Sequence, residues 1–254
     1  MLKLNKDNYF SVEANMEYMS ASQFKAFMKC EAAALAEAKG EHKREMTVSL
    51  LVGSYVDAYF EGTLDKFMRE HPELFKSNGE LKREYIKANE IIQRIKSDKL
   101  MLEYLSGESQ VIKTGEIDGI PFKIKIDSYH KDKIVDLKCM KDFEAIYVPN
   151  KGRCNFIEAW GYDIQGAIYQ AIEGNNLPFY IAAATKENVP DIDVFEVTQD
   201  YLDLALDMVR QNIMRYQAIK QGIIEPERCG HCDYCKKTKI LTEPKSIEEL
   251  DFYE

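Results

Sequence analysis

Residues 123–138 read KIKIDSYHKDKIVDLK. With the two-residue period of a strand, Lys123, Lys125 and Asp127 point to one side and Phe122, Ile124 and Ile126 to the other. A polar HKDK turn follows, and Ile134, Val135 and Leu137 then resume an apolar run interrupted by Asp136 and Lys138, which share a face. Two carboxylates and a lysine would therefore meet on one patch of a hairpin otherwise rich in Ile and Val.

Outward from this hairpin, QVIKTGEI (110–117) supplies a preceding strand, joined through Asp118-Gly119, a pair suited to a tight hairpin turn. FIEAWGYDIQGAIYQAIEG (156–174) carries Ile157, Trp160, Ile164, Ala167, Ile168 and Ile172 at helical spacing and closes on Gly174, so one amphipathic helix is expected there. LPFYIAAATK and DIDVFEV read as two more strands, and residues 199–222 as a long final helix.

Upstream the chain reads as helical over about residues 20–100. Ser20-Ala21-Ser22-Gln23 fits a capping box for a helix that carries Cys30. SLLVGSYVDAYFEG (49–62) makes a second helix with Asp57 at its middle. Residues 62–100 suggest short helices around a turn at Ser77-Asn78-Gly79, packed through Ile91, Ile92 and Ile95. Their many charges suit a solvated face, or else a flap over a substrate. Strands bracketed by helices predict an α/β fold with a central mixed β-sheet covered on both faces. No repeat or low-complexity linker marks a boundary, so residues 1–254 are expected to form one domain ending in a Cys-rich tail at 229–235.

The 254 residues, 45% apolar and 30% charged, suffice for a proper core. No run of about 18 apolar residues exists and the N-terminal stretch has no signal-peptide core, so a cytoplasmic protein without membrane spans is expected. A net charge of −9 argues against coating nucleic acid through a broad basic surface, though a local basic groove is compatible with it.

Carboxylates forced together repel unless a cation or a shared proton relieves them. Asp127 and Asp136 on adjacent strands would form a hard-oxygen site for Mg²⁺ or Mn²⁺. Lys138 on the same face could orient a water or offset charge on a phosphodiester under attack. An exposed hairpin with ordinary surface charges remains the alternative from pattern alone.

Asp127, Asp136-Leu137-Lys138 and Gln165-Gly166-Ala167-Ile168-Tyr169, in that order and in a strand, strand, helix setting, resemble the D…DxK…QxxxY signature of the RecB-like branch of the PD-(D/E)XK nucleases. The resemblance covers roughly residues 20–236 and is nearest to phage-type exonucleases similar to the C-terminal domain of exodeoxyribonuclease VIII. It implies a restriction-endonuclease-like core. Asp127, Asp136 and the Leu137 carbonyl would hold the metal, Lys138 would serve the water, and Gln165 and Tyr169 would reach the site or the DNA from their helix. Many members of this branch place a metal-binding His after a Gly in the first helical region. Here Gly53-Ser54-Tyr55-Val56 leads to Asp57, which could ligate the metal itself or lie on the helix surface.

The tail ERCGHCDYCKKTK brings Cys229, Cys232 and Cys235 together at a spacing seen in Fe–S ligand runs. Some nucleases similar to this chain close a [4Fe–4S] cluster with one further cysteine from the N-terminal helix, the place Cys30 occupies. Zinc held by the tail thiols with Cys30 or His231 is the rival. Cys139 and Cys154 read as packing residues. The expected activity is metal-dependent DNA hydrolysis, an exonuclease resecting duplex ends, with Lys123, Lys125, Lys141, Lys151 and Arg153 as a local phosphate track. A single-strand annealing protein is the partner the resemblance implies. The rival classes are a catalytically inactive DNA-binding or scaffold module and an enzyme acting on a small phosphoester.

Overall fold

In the computed structural model, which describes residues 1–149, 151–244 and 246–247, the central hairpin forms where its turn residues place it. Asp118 and Gly119 both hold positive φ, 50° and 78°, the backbone of a type I′ turn whose twist matches its strands. They join β1 (Glu108–Ile117) to β2 (Ile120–Tyr129). A turn closed by His130 N–H donating to the Lys133 carbonyl at 3.0 Å leads to β3 (Ile134–Met140). After a small hairpin of β4 (Ile146–Val148) and β5 (Gly152–Cys154), β6 (Phe179–Thr185) lies parallel to β3, and β7 (Ile192–Val197) runs antiparallel to β6. The sheet order is β1-β2-β3-β6-β7, a mixed sheet as the sequence predicts.

Seven α-helices precede the sheet: α1 (Val12–Glu17), α2 (Ala21–Lys29), α3 (Glu31–Ala38), α4 (Val48–Phe60), α5 (Leu64–Glu70), α6 (Arg83–Lys96) and α7 (Lys99–Tyr104). Then α8 (Phe156–Ala159) and α9 (Tyr162–Glu173) lie between β5 and β6, α10 (Gln199–Lys220) follows β7, and α11 (Asp233–Lys237) sits in the tail. Alternate residues of the central strands feed two apolar layers. Ile134, Ile181 and Ala183 join Phe24, Phe27, Ile164, Ile168, Val209 and Ile213 on one face. Val135, Leu137, Ala182 and Ala184 join Val52, Val56, Ile91, Ile92 and Ile95 on the other. Both faces of β3 and β6 are thus buried, which is why β6 reads as a nearly unbroken apolar run and β3 as one broken only by Asp136 and Lys138. The Ile stripe of α6 is a sheet cover, so this helix is not a detached flap.

Three local readings change. The helix that follows Ser20 ends at Lys29, because Cys30 is extended (φ −165°, ψ 109°) and separates α2 from α3. Its capping box is half made: Ser20 Oγ accepts the Gln23 N–H, but the Gln23 amide donates to the Asn15 carbonyl instead of returning. The helix expected over 156–174 is two, since Gly161 takes φ +64° and breaks it, leaving Trp160 51% exposed and off the core face. Among the described residues no helix is long and apolar enough to cross a membrane.

The contact of α9 with β6 and α10 is close at Gly166, where an added Cβ would lie 2.4 Å from Phe179 Cδ1 and 2.8 Å from Leu202 Cδ2. Helix propensity would favour Gly166→Ala by about 1 kcal/mol, but overpacking a filled core costs about 1–3 kcal/mol. The expected outcome is a lower melting temperature by calorimetry; a higher one would show that this core can yield.

Candidate active site

The pairing of β2 with β3 is confined to Ser128↔Val135 and Tyr129↔Ile134. Asp127 and Asp136 are the next residues along each strand, at the point where the two part. Asp127 Oδ2 accepts the Leu137 backbone N–H at 3.2 Å, and its Oδ1 accepts the Gln110 amide at 3.2 Å. Asp136, 1% exposed, accepts a 2.6 Å hydrogen bond from Gln165 Nε2 and is ion-paired with Lys138. The Lys138 Nζ also reaches the Leu137 carbonyl at 3.3 Å.

Asp57 enters from α4, with a buried Oδ1 that has no hydrogen-bond partner. Burial, with Asp136 and Glu61 adding to it against Lys138 and Lys186, pushes its carboxyl up to about 7. Burial and then Asp136 hold Asp127 well above the usual carboxylate range. Burial alone would lower Lys138, but Asp136, Asp127 and Asp57 outweigh it and keep the ammonium firmly protonated. These are carboxylates short of positive charge. Hard oxygens on Asp57, Asp127 and Asp136, one of them orphaned, together with the Leu137 carbonyl, fit a divalent cation of the Mg²⁺ or Mn²⁺ type.

The helix signature divides its work. Gln165 reaches Asp136 directly, whereas the Tyr169 hydroxyl donates to the Lys125 carbonyl at 2.8 Å and ties α9 to β2 two residues before Asp127. Lys123 must be removed from the phosphate track. It is 1% exposed, and its Nζ is spent on the Tyr9 carbonyl at 2.5 Å and Asn15 Oδ1 at 2.8 Å, because the N-terminal segment covers that side of β2. Lys125 is half-buried beside Glu61, 3.9 Å away. Lys141 is exposed and paired with Asp142 at 2.9 Å, and Lys151 and Arg153 are exposed around the β4–β5 hairpin.

Gln110 was not legible from sequence. The register passes from Ser109↔Ser128 to Val111↔Ile126, leaving Gln110 opposite Asp127 with φ +59°, an uncommon backbone for a residue other than glycine. No motif announces it.

The thiols of Cys30, Cys229, Cys232 and Cys235 all lie within 4.8 Å of one another, the one such group of three or more metal-ligating residues gathered so closely among the described residues. Cys30 Sγ is 3.6 Å and Cys229 Sγ 3.9 Å from Cys235 Sγ, and none is in a disulfide. Cys30 is thus the fourth member; the His231 ring instead contacts the Cys229 carbonyl at 2.9 Å. Burial opposes ionisation of Cys229, but the amides of Cys232 and His231 overcome it and bring its thiol down to about 6. Glu31 holds the tail in place: its carboxylate takes Arg215 in two bonds of 2.7 and 2.9 Å and the Glu227 N–H at 2.7 Å. Cys139 and Cys154 stand apart from this group, as packing residues do.

A family model described as a PDDEXK-like domain of unknown function (DUF3799) matches residues 20–238. The crystal structure of a candidate exonuclease from Eubacterium rectale is similar over 97% of each chain, with 46% identity and a TM-score of 0.94. That of SSO0001 covers 84% of this chain and 91% of its own at 14% identity and a TM-score of 0.31, too distant in geometry to bear on the site. No curated protein matches the chain.

Tyr169→Phe removes only the hydroxyl that anchors β2. One such hydrogen bond contributes about 0.5–1.5 kcal/mol, so urea unfolding of the variant should show a loss in that range. An unchanged midpoint would reduce Tyr169 to a packing ring.

Proposed function

Because the chain belongs to the DUF3799 family of PDDEXK-like domains, we propose that it is a divalent-metal-dependent deoxyribonuclease, an exonuclease that resects duplex ends as in phage-type recombination in the cytoplasm. The observation that carries this reading is the parted β2–β3 pair, with Asp127, Asp136 and Lys138 at the fork and the partnerless Asp57 oxygen beside them. The choice of exonuclease over other nucleases rests on the similarity to the Eubacterium rectale protein.

Asp57, Asp127, Asp136 and the Leu137 carbonyl would hold the cation, which supplies Lewis acidity toward a phosphoryl oxygen and a more acidic water. Gln165 keeps the Asp136 carboxylate oriented. Lys138, ion-paired with Asp136, is placed to serve the attacking water. Its role is to donate to the attacking water and to offset the charge that builds on phosphorus-bound oxygen as the leaving oxygen departs. Lys125, Lys141, Lys151 and Arg153 are the cations left to meet the DNA backbone.

The thiols serve stability in this proposal. In a tetrahedral zinc site with Zn–S bonds of about 2.3 Å the sulfurs stand roughly 3.8 Å apart, close to the spacings here. A [4Fe–4S] cubane, with four irons between its thiolates, needs a wider opening. Of the two groups the sequence leaves open, the sulfur spacing favours zinc.

Incubation with linear and covalently closed circular DNA tests the activity. Linear DNA should disappear with Mg²⁺ or Mn²⁺ and persist with chelator, while circles survive. Asp136→Asn and Lys138→Ala should each slow turnover by about 10²-fold or more; near-normal cleavage by either removes the assignment. Binding of DNA without cleavage in any metal would favour the inactive module.

Protein isolated without oxygen should be colourless with one tightly held zinc, and Cys30→Ala should lose both the metal and thermal stability together. A brown protein with about four irons per chain would install the cubane instead.

A further inference from the structure

Lys25 belongs to none of the motifs above, yet it stands beside the carboxylate fork. From α2 its half-buried side chain sends Nζ to the Trp160 carbonyl at 3.2 Å and 5.3 Å from the centre of the Tyr162 ring. Lys138 Nζ lies 5.5 Å from the centre of the same ring. The Tyr162 ring thus lies within cation–π distance of both ammonium groups.

Its stem has a prepared path. A Cβ on Gly161 would lie 2.9 Å from Lys25 Cδ, and Gly161 has φ +64°. The break between α8 and α9 therefore leaves the Trp160 carbonyl available to Lys25 and the room to reach it.

The two lysines differ in how their charges are met. Lys138 is ion-paired with Asp136. Lys25 has no carboxylate within ion-pair distance among the described residues, and Asp136 and Asp163 act on it only from further away. An ammonium has three donors, and the Trp160 carbonyl takes one. Burial and the neighbouring Lys138 push Lys25 down to about 8, a penalty on its charge that a bound anion would relieve. Given the nuclease reading, the anion next to a scissile phosphate is the adjoining phosphate of the same strand.

We propose that Lys25 binds the phosphodiester adjoining the scissile one, while Lys138 faces the scissile phosphate itself. This rests on the nuclease reading and adds a substrate contact to it. Lys25 thereby sets the register of the strand in the site, and Gly161 and Tyr162 position it.

The test pairs protein variants with DNA in which one phosphate at a time, on either side of the scissile bond, is an uncharged methylphosphonate. For the wild-type protein with Mg²⁺, one position should raise KM by about tenfold or more, the effect of losing one charge-assisted contact. Lys25→Ala should raise KM on unmodified DNA by a similar factor, with a smaller change in kcat, and should be indifferent to that methylphosphonate. Lys25→Arg should restore both KM and the sensitivity, and all three proteins should melt alike. An unchanged KM for Lys25→Ala, or full methylphosphonate sensitivity in that variant, overturns the proposal while the nuclease reading stands. A wild-type protein that cleaves no DNA overturns both.

Discussion

Two residue pairs hold β2 to β3, and beyond them the strands part inside a covered sheet. Parted strands leave backbone groups without their ladder partners, and a buried N–H must find an acceptor elsewhere. Here the Leu137 N–H finds the carboxylate of Asp127. A side chain thus replaces a strand, and acidic oxygens are fixed at the place where the sheet opens.

Such an opening is costly to maintain. Asp57, Asp127 and Asp136 share a poorly hydrated region, and burial first, then the repulsion of the neighbouring carboxylates, raises the carboxyls of Asp57 and Asp127. Lys138 relieves part of it, and Gln165 and Gln110 hold two of the carboxylates in position. The remainder is borne by the fold. α4, which carries Asp57, and α9, which carries Gln165, are pinned to opposite faces of the sheet by the two apolar layers. Rigid elements hold a strained group of charges as a loop could not.

The ends of the chain meet by similar means. Cys30 interrupts two helices with an extended backbone, and Glu31, the next residue, grips Arg215 of α10 and the Glu227 amide. Glu31 lies well inside the protein, where burial favours its neutral form; Arg215 and that amide overcome this and keep its carboxyl low. The tail is thereby delivered beside Cys30, so four thiols from opposite ends of the sequence share one small volume. Ion pair and thiols act at adjacent residues and reinforce each other.

Local chemistry made much of this legible in the amino-acid sequence. Asp118-Gly119 dictates its hairpin turn, alternation and apolar runs give the strands, and the triplet of tail cysteines announces a ligand group because spacing alone lets them converge. The carboxylates, Lys138 and Gln165 could be singled out because their order along strand, strand and helix is itself a local pattern. What depends on long-range packing was out of reach. Lys123 alternates with its neighbours as a surface lysine would, and only the N-terminal segment folding over β2 buries it. Gln110 and Lys25 belong to no motif, since their positions come from a positive φ opposite Asp127 and from a helix break more than a hundred residues away. Trp160 fits a helical stripe until Gly161 turns the chain. Periodicity reports which face of an element is apolar; which other element arrives to cover it, or to bring a charge to it, is decided by the tertiary fold.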